Sequence, residues 1–402
     1  MKILVVNCGS SSVKYQFIDM QNEFVMAKGM VSRIGMSGSV LTHKPHDRSE
    51  VKVTGDILDH IIAIQYIISI LLSENHGVIK DKKEIEAVGH RVVHGGEKFA
   101  ESVMIDGDVL RIIRDLIDLA PLHNPHNIRG INACMKALPD IPQVAVFDTA
   151  FHQTMAPVAY LYGIPYVMYK RHSVRRYGFH GPSHYFVSQR AAAMLNKGYD
   201  EIRTITCHLG NGASVTAVNR GKSVDTSMGF TPLEGLLMGT RCGDMDPAVI
   251  LHIMGREELS LHEANTLMNK HSGLSGISGV SSDMREIIEA MNEGHTNARV
   301  AFEIYCYRLR KYIGAYTAAM GGLDALVFTA GVGENSAVVR EKCVENLEFL
   351  GIKIDPEKNR AAVGKEMDIS SPDAGVRTLS IPTNEELVIA RDTLRLINSQ
   401  SQ

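Results

Sequence analysis

Short apolar runs closed by glycine and small polar residues alternate along the chain with stretches whose apolar positions recur at helical spacing. The runs read as buried strands and the stretches as helices, so the pattern predicts an α/β protein. Residues 3–6 enter a turn of Asn7, Cys8, Gly9, Ser10, Ser11 and Ser12, and residues 13–18 leave it as a second strand. Ile57, Leu58, Ile61, Ile62, Ile64, Ile68, Leu71 and Leu72 then line one helical face, with Asp56 as the expected N-cap and His76-Gly77 as the end. Residues 87–93 and 144–147 read as strands, the second ending at Asp148. Residues 109–119 read as a helix, capped by Asp108 and followed by Pro121. From 150 to 177 the pattern is irregular, as in a crossover between domains.

The second half repeats the opening device. Strand 202–207 enters His208, Leu209, Gly210, Asn211, Gly212, Ala213 and Ser214, and the chain leaves through 215–218. The echo needs a one-residue insertion, and it suggests two similarly built halves. A long helix over 297–320 precedes a continuous apolar strand at 325–329. A glycine turn, Ala330-Gly331-Val332-Gly333-Glu334-Asn335-Ser336, and a helix follow. Strand, glycine turn and helix is where open α/β sheets place nucleotides. Thr383 and Glu386 have capping-box spacing ahead of a last helix.

Length and charge narrow the class. The 402 residues suit two domains, and a net charge of −3 gives no basic footprint for nucleic acid. No membrane span is expected, because the apolar stretch 57–72 is short and broken by Asp59, His60 and Gln65. The start reads directly as a strand, without an export signal, and the six scattered cysteines contain no CxxC pair. A reducing cytoplasm is therefore expected.

Candidate chemistry gathers at strand ends and glycine turns. The opening turn, with Lys14 on its exit strand, suits a phosphate, and an ordinary serine-rich hairpin is the alternative. Arg91 and Arg241 sit beside glycines, where a planar guanidinium suits carboxylate or phosphoryl oxygens; each could instead anchor a loop through an ion pair. Asp148 is either a functional carboxylate or the cap of a turn at Thr149. The pairs His90/His94 and His180/His184 have helical spacing for a metal, but neighbouring glycines argue against a helix at either. GxxxxGK[ST] and GxGxxG are both absent, so neither a P-loop nor a dinucleotide fingerprint is present.

The strings NCGSSSVKY, GHRVVHGGE, APLHNP, VFDTAFHQT, YGFHGPSH, CHLGNGAS, DTSMGFTPLEGL, TRCGDMDP and FTAGVGENS occur in order across nearly the whole chain. They resemble the acetate kinase family. The resemblance implies two related ribonuclease-H-like domains of the actin-like ATPase fold, 1–150 with 386–402 and 151–385, closing on a nucleotide cleft. It implies Mg²⁺-dependent, reversible transfer of the ATP γ-phosphoryl group to acetate by a cytoplasmic homodimer, with Mn²⁺ as a substitute ion. On matching positions it implies Asp148, His180 and Arg241 as catalytic. Arg91 would bind the acetate carboxylate, and Val93, Leu122, Phe179 and Pro232 its methyl group. The nucleotide would meet Ser10, Ser12 and Lys14; His208, Leu209, Gly210, Asn211 and Gly212; Asp283, Met284 and Arg285; and Gly331, Val332, Gly333, Glu334 and Asn335. Asn7 and Glu385 would serve the metal.

Three residues depart from the family's usual pattern: Cys8 and Cys242 stand where serine is common, and Pro182 where threonine is. Pro182 lacks a hydroxyl and a backbone donor beside His180, which puts the placement of that histidine in question. Propionate or butyrate kinase is the near alternative. An actin- or Hsp70-like ATP-driven assembly protein is the alternative of another class, and the Arg91, His180 and Arg241 set argues against it.

Overall fold

A computed structural model describes residues 1–400. Its chain divides into two compact units, Met1–Phe151 with Asn384–Gln402, and His152–Thr383. Glu385, assigned from the sequence to the second domain, therefore belongs to the first unit.

The first unit holds an eight-stranded sheet. Its strands are β1 (Lys2–Cys8), β2 (Ser12–Asp19), β3 (Phe24–Ser32), β4 (Ser39–Pro45), β5 (Val51–Gly55), β6 (Ala87–Val92), β7 (Val103–Met104) and β8 (Gln143–Phe147), in the order β5-β4-β3-β2-β1-β6-β8-β7. β1 pairs antiparallel with β2 and parallel with β6, which pairs parallel with β8. The unbroken apolar run in β1 has a simple cause: both of its faces are covered. Leu4 and Val6 enter a core with Ile64 and Ile67 of helix His60–Leu71 and Cys134 of helix Asn124–Ala137. Ile3 and Val5 pack on the opposite face with Val144, Val146, Ile389 and Ala390, the last two from helix Glu385–Gln400.

The second unit holds β9 (Arg203–Leu209), β10 (Ala213–Asn219), β11 (Lys222–Thr226), β12 (Ala325–Thr329), β13 (Met367–Asp368) and β14 (Arg377–Ser380), in the order β11-β10-β9-β12-β14-β13. β9 pairs antiparallel with β10 and parallel with β12, which pairs parallel with β14. The series β11-β10-β9-β12-β14 thus repeats β3-β2-β1-β6-β8, and the echo between the two glycine hairpins reflects a repeated fold.

Several boundaries differ from expectation. The first long helix is capped by Asp59, which accepts from the Ile62 amide, and ends at Leu71. The next is Gly107–Asp115, capped by Asp106 in place of Asp108, with a separate 3₁₀ turn over Ile117–Leu119. The expected crossover contains a 3₁₀ turn and two short helices, Ala150–Thr154, Pro157–Tyr160 and Tyr166–His172. The glycine segment after β12 is itself a short helix, Ala330–Asn335. Asn384, in place of Thr383, caps the last helix by accepting from the Leu387 amide.

Candidate functional site

In the first unit the β1–β2 hairpin tip is locked from behind. The Gly9 amide donates to the Ser12 carbonyl at 2.8 Å, and His60 Nε2 lies 2.8 Å from the Gly9 carbonyl. Asn127 Nδ2 donates to the Cys8 carbonyl at 3.0 Å, while its Oδ1 accepts from the Val93 amide at 3.0 Å. Asn124 holds His94 in the same way, from one turn earlier on the same helix. One helix therefore fixes both the hairpin and the 93–94 segment. Asn7 and Lys14 face each other across the hairpin, Asn7 and Ser12 half-buried and Ser10 and Lys14 exposed. Cys8 is buried and its thiol is pushed up to about 12 by that burial, so it is an inert packing group. A side chain at Gly130 would meet its sulfur.

Arg91, in β6, meets Asp148, just past β8, in a bidentate ion pair: Nε to Oδ1 at 2.8 Å and Nη2 to Oδ2 at 2.6 Å. The Asp148 side chain is 3% exposed and that of Arg91 21%. The Thr149 hydroxyl accepts from the Gly95 amide, so the turn there is held without Asp148. Burial pulls the Arg91 guanidinium down, but the charges of Asp148 and Glu385 more than reverse this and hold it up. Glu385 is raised, first by burial and also by Asp148, against the pull of Arg91 and Lys14. Lys14, Arg91, Asp148, Glu385 and Glu386 thus form one electrostatic group.

In the second unit, His180 occupies the left-handed region (φ 58°) at the N-cap of helix Gly181–Met194. That helix places His184 one turn on, correcting the expectation that glycine would prevent helical spacing here. Pro182 falls at the start of the helix, where an amide would have no intrahelical partner, so its missing donor costs little. His180 is held from β10 instead: its Nδ1 lies 2.9 Å from Ser214 Oγ. Its ring stacks on His208 at 4.0 Å. Arg241 Nη1 donates to the Pro232 carbonyl at 3.1 Å and contacts Met238 Sδ. Among the described residues no carboxylate pairs with it, and burial alone lowers its pKa. A Cβ built on Gly212 would lie 3.3 Å from Arg241 Nη1 and 3.7 Å from His180 Cε1, so the glycine brings its loop close to both.

Beside this loop lies a cavity of about 730 Å³, lined in part by Gly210, Asn211, Asp283, Met284, Arg285, Gly331, Val332 and Asn335. Three of the four sequence segments expected at the nucleotide contribute to its wall; Ser10, Ser12 and Lys14 do not line it. Asp283 caps helix Met284–Asn292 and pairs with Arg285. Gly333 and Glu334 do not line the cavity: Glu334 accepts from the amides of Ala330 and Thr383 and so ties the glycine segment to the end of the unit. Leu209 is fully buried and offers only its backbone. The four residues expected around the acyl group divide between the units. Val93 is nearly buried and Leu122 is 61% exposed in the first; in the second, Phe179 is buried and its carbonyl lies 2.9 Å from His152 Nε2.

Sequence reasoning missed Asn124, Asn127, Ser183, Thr206 and Ser214, whose partners are remote in the chain. It also missed Arg340, fully buried and donating to the Gly333 and Glu334 carbonyls. For a hard divalent ion the oxygen donors of Asn7 and Glu385 fit. Glu385 sits by a second carboxylate with its pKa raised, a setting that a cation relieves. Among the described residues no cluster of three His, Cys, Asp or Glu forms a metal cage.

Residues 2–391 match the model of the Acetokinase family. The chain belongs to the acetokinase family. This acetokinase-family chain is 57% identical over 399 residues to an acetate kinase of Halothermothrix orenii, covering 99% of this chain and 100% of that one. It is 54% identical over 400 residues to an acetate kinase of Methanosarcina acetivorans, covering 100% and 98%. Among solved structures, Porphyromonas gingivalis acetate kinase superposes with a TM-score of 0.95 at 50% identity, over 98% of this chain and 99% of that one. A propionate kinase from Francisella tularensis superposes at 0.92 and 42% identity, with the same coverage. Membership fixes the actin-like ATPase fold and a kinase activity with a carboxyl group as acceptor.

Proposed function

We propose that the protein is an acetate kinase, transferring the ATP γ-phosphoryl group reversibly to acetate to give acetyl phosphate and ADP. The observation that carries this is Arg241, a half-buried guanidinium with no carboxylate partner among the described residues, set against the 210–212 loop beside His180. A cation left uncompensated in a phosphate-sized turn suits charge that arrives with a substrate.

Acetate is already ionised at neutral pH, so no base is required. An acetate oxygen bonds to the γ-phosphorus as the bond to the β,γ-bridging oxygen breaks, and ADP leaves with that electron pair. The difficulty is repulsion between two anions. Arg91, held flat by Asp148, presents its remaining N–H groups to the acetate carboxylate. Ser10, Ser12, Lys14 and the 208–212 loop hold phosphate oxygens, and Arg241 and His180 donate to the transferring group. The 730 Å³ cavity receives the adenosine. Asn7 and Glu385 would hold Mg²⁺, which would supply charge neutralisation at the phosphates. Val93, Leu122, Phe179 and Pro232 remain the proposed acyl contacts.

A cytoplasmic homodimer completes the reading. No described helix is long and apolar enough to cross a membrane. The test is a hydroxamate assay with ATP and acetate, propionate or butyrate. Acetate is expected to be preferred, with slower propionate turnover because one methylene discriminates by only about 1–3 kcal/mol. Butyrate preference, or ATP consumption without acyl hydroxamate, would overturn the proposal.

A further inference from the structure

Behind the two stacked histidines of the second unit run two chains of hydroxyls. In one, Thr206 Oγ1 lies 2.7 Å from His184 Nδ1, His184 Nε2 lies 2.7 Å from Ser214 Oγ, and Ser214 Oγ lies 2.9 Å from His180 Nδ1. In the other, Thr383 Oγ1 donates to Ser183 Oγ at 2.8 Å, and Ser183 Oγ lies 2.8 Å from His208 Nδ1. Thr206, His184, Ser183 and Ser214 are all fully buried.

The direction of the first chain follows from counting protons. A hydroxyl has one hydrogen to give and two lone pairs that accept. The only side-chain partner of Thr206 Oγ1 among the described residues is His184. Were Thr206 to accept, its own O–H would be buried with nothing to bond, so it donates to His184 Nδ1. His184 is kept neutral by burial, which lowers its pKa well below the ordinary value, so its one proton sits on Nε2 and goes to Ser214. Ser214, having accepted there, has one proton left, and it points to His180 Nδ1. His180 Nδ1 must therefore be the acceptor, and the ring carries its proton on Nε2. The second chain gives His208 the same tautomer, since Ser183 accepts from Thr383 and passes its own proton to His208 Nδ1.

Both Nε2 atoms face the glycine loop. A Cβ built on Gly212 would stand 3.8 Å from His180 Nε2, and one built on Gly210 would stand 4.0 Å from His208 Nε2. We propose that Ser214 is a positioning residue which, set by Thr206 through His184, holds His180 as a neutral imidazole with its Nε2–H aimed at the phosphate loop. This deepens the reading of the site as a phosphoryl-transfer centre and rests on it for its catalytic consequence. A second proton on His180 would have to occupy Nδ1 and displace the Ser214 hydrogen from it, and among the described residues the only other side-chain partner of Ser214 Oγ is His184, which already donates to it. The relay thus disfavours imidazolium, and His180 acts as a hydrogen-bond donor in transfer, with no acid step.

The tautomer can be read without turnover. ¹⁵N-histidine NMR of the full-length protein is expected to show a pyridine-like Nδ1 and a pyrrole-like Nε2 for His180, unchanged between pH 8 and pH 6. An imidazolium signature or a protonated Nδ1 in that range overturns the relay whatever the substrate proves to be. Ser214→Ala and the isosteric Thr206→Val are expected to mix the two tautomers. They are expected to lower kcat by roughly tenfold to a hundredfold, short of the ~10²–10³ loss of a whole donor. KM for ATP stays unchanged, and Ser214→Thr recovers both signals. Unaltered tautomer and kcat in folded Thr206→Val overturns the proposal even if Ser214→Ala proves unstable. An altered tautomer with normal kcat keeps the relay and removes His180 from the chemistry.

Discussion

Arg91→Ala separates what the Arg91–Asp148 pair does for the fold from what it does for acetate. The substitution removes two charge-assisted hydrogen bonds and leaves the Asp148 carboxylate, 3% exposed, close to the carboxylate of Glu385. Breaking a buried pair from one side costs about 3–5 kcal/mol. Arg91 is 21% exposed, so water reaches part of the pair and the expected loss is at the lower end, about 3 kcal/mol. Adding Asp148→Asn removes the stranded charge while keeping the side-chain shape. The double variant is expected to regain about 1–2 kcal/mol of what Arg91→Ala lost, because much of that cost is an unpaired charge. Urea unfolding followed by circular dichroism measures this, provided the slopes agree among variants. Acetyl hydroxamate formation stays depressed in both, since neither retains the guanidinium. Additive destabilisation, with a coupling below about 0.5 kcal/mol, would refute the reasoning.

Arg241→Ala should lower kcat by about 10²–10³ with an unchanged melting temperature, since Arg241 anchors little beyond one carbonyl; near-normal turnover rejects its role. Gly239→Ala would put a methyl group 1.9 Å from Asn211 Oδ1 and turn that side chain in the cavity wall. KM for ATP should rise about tenfold, or 1.4 kcal/mol, with acetate KM unmoved, as initial rates will show. His90 is buried against Gln143 and lowered from 6.5 to about 4 by that burial. The unfolded chain then binds more protons in this range, so stability is complete above pH 6.5 and falls as pH drops towards 4, by about 3 kcal/mol in all. His90→Asn should flatten that slope in denaturation curves taken across pH. Direct transfer predicts inversion at a chiral γ-phosphorus, and net retention would require a phospho-enzyme.

The parts of the fold that could be read from the sequence are those whose signal is local. Strand 325–329 stands out because both faces of the sheet are covered and every residue in it is buried. The helix starts were displaced because several acids stand within one turn of each. Asp56 and Asp59, or Asp106 and Asp108, are equally good caps in composition, and only the path of the backbone chooses between them. The site divides in the same way. Arg91, His180 and Arg241 stand out by type and by their glycine neighbours, and Asp148 by ending a buried strand. Asn127 meets Cys8 across 119 residues and Ser214 meets His184 across 30, so nothing near either residue in sequence marks it. Pro182 looked disruptive beside His180 only while the helix start was unknown.

The return of the chain to its first unit sets an order of events during synthesis. Ile3, Val5, Val144 and Val146 are finished early, yet the side chains that cover them, Ile389 and Ala390, arrive only after the whole of His152–Thr383 has been made. On the ribosome the second unit can reach its native state while one apolar face of the first sheet is still bare. Folding of the first unit completes last, when helix Glu385–Gln400 docks, and that same event delivers Glu385 beside Arg91 and Asp148. A nascent chain stalled short of residue 385 would expose a sticky sheet and lack Glu385, the carboxylate proposed for the metal, so on that proposal the closing helix would couple the end of folding to the onset of activity.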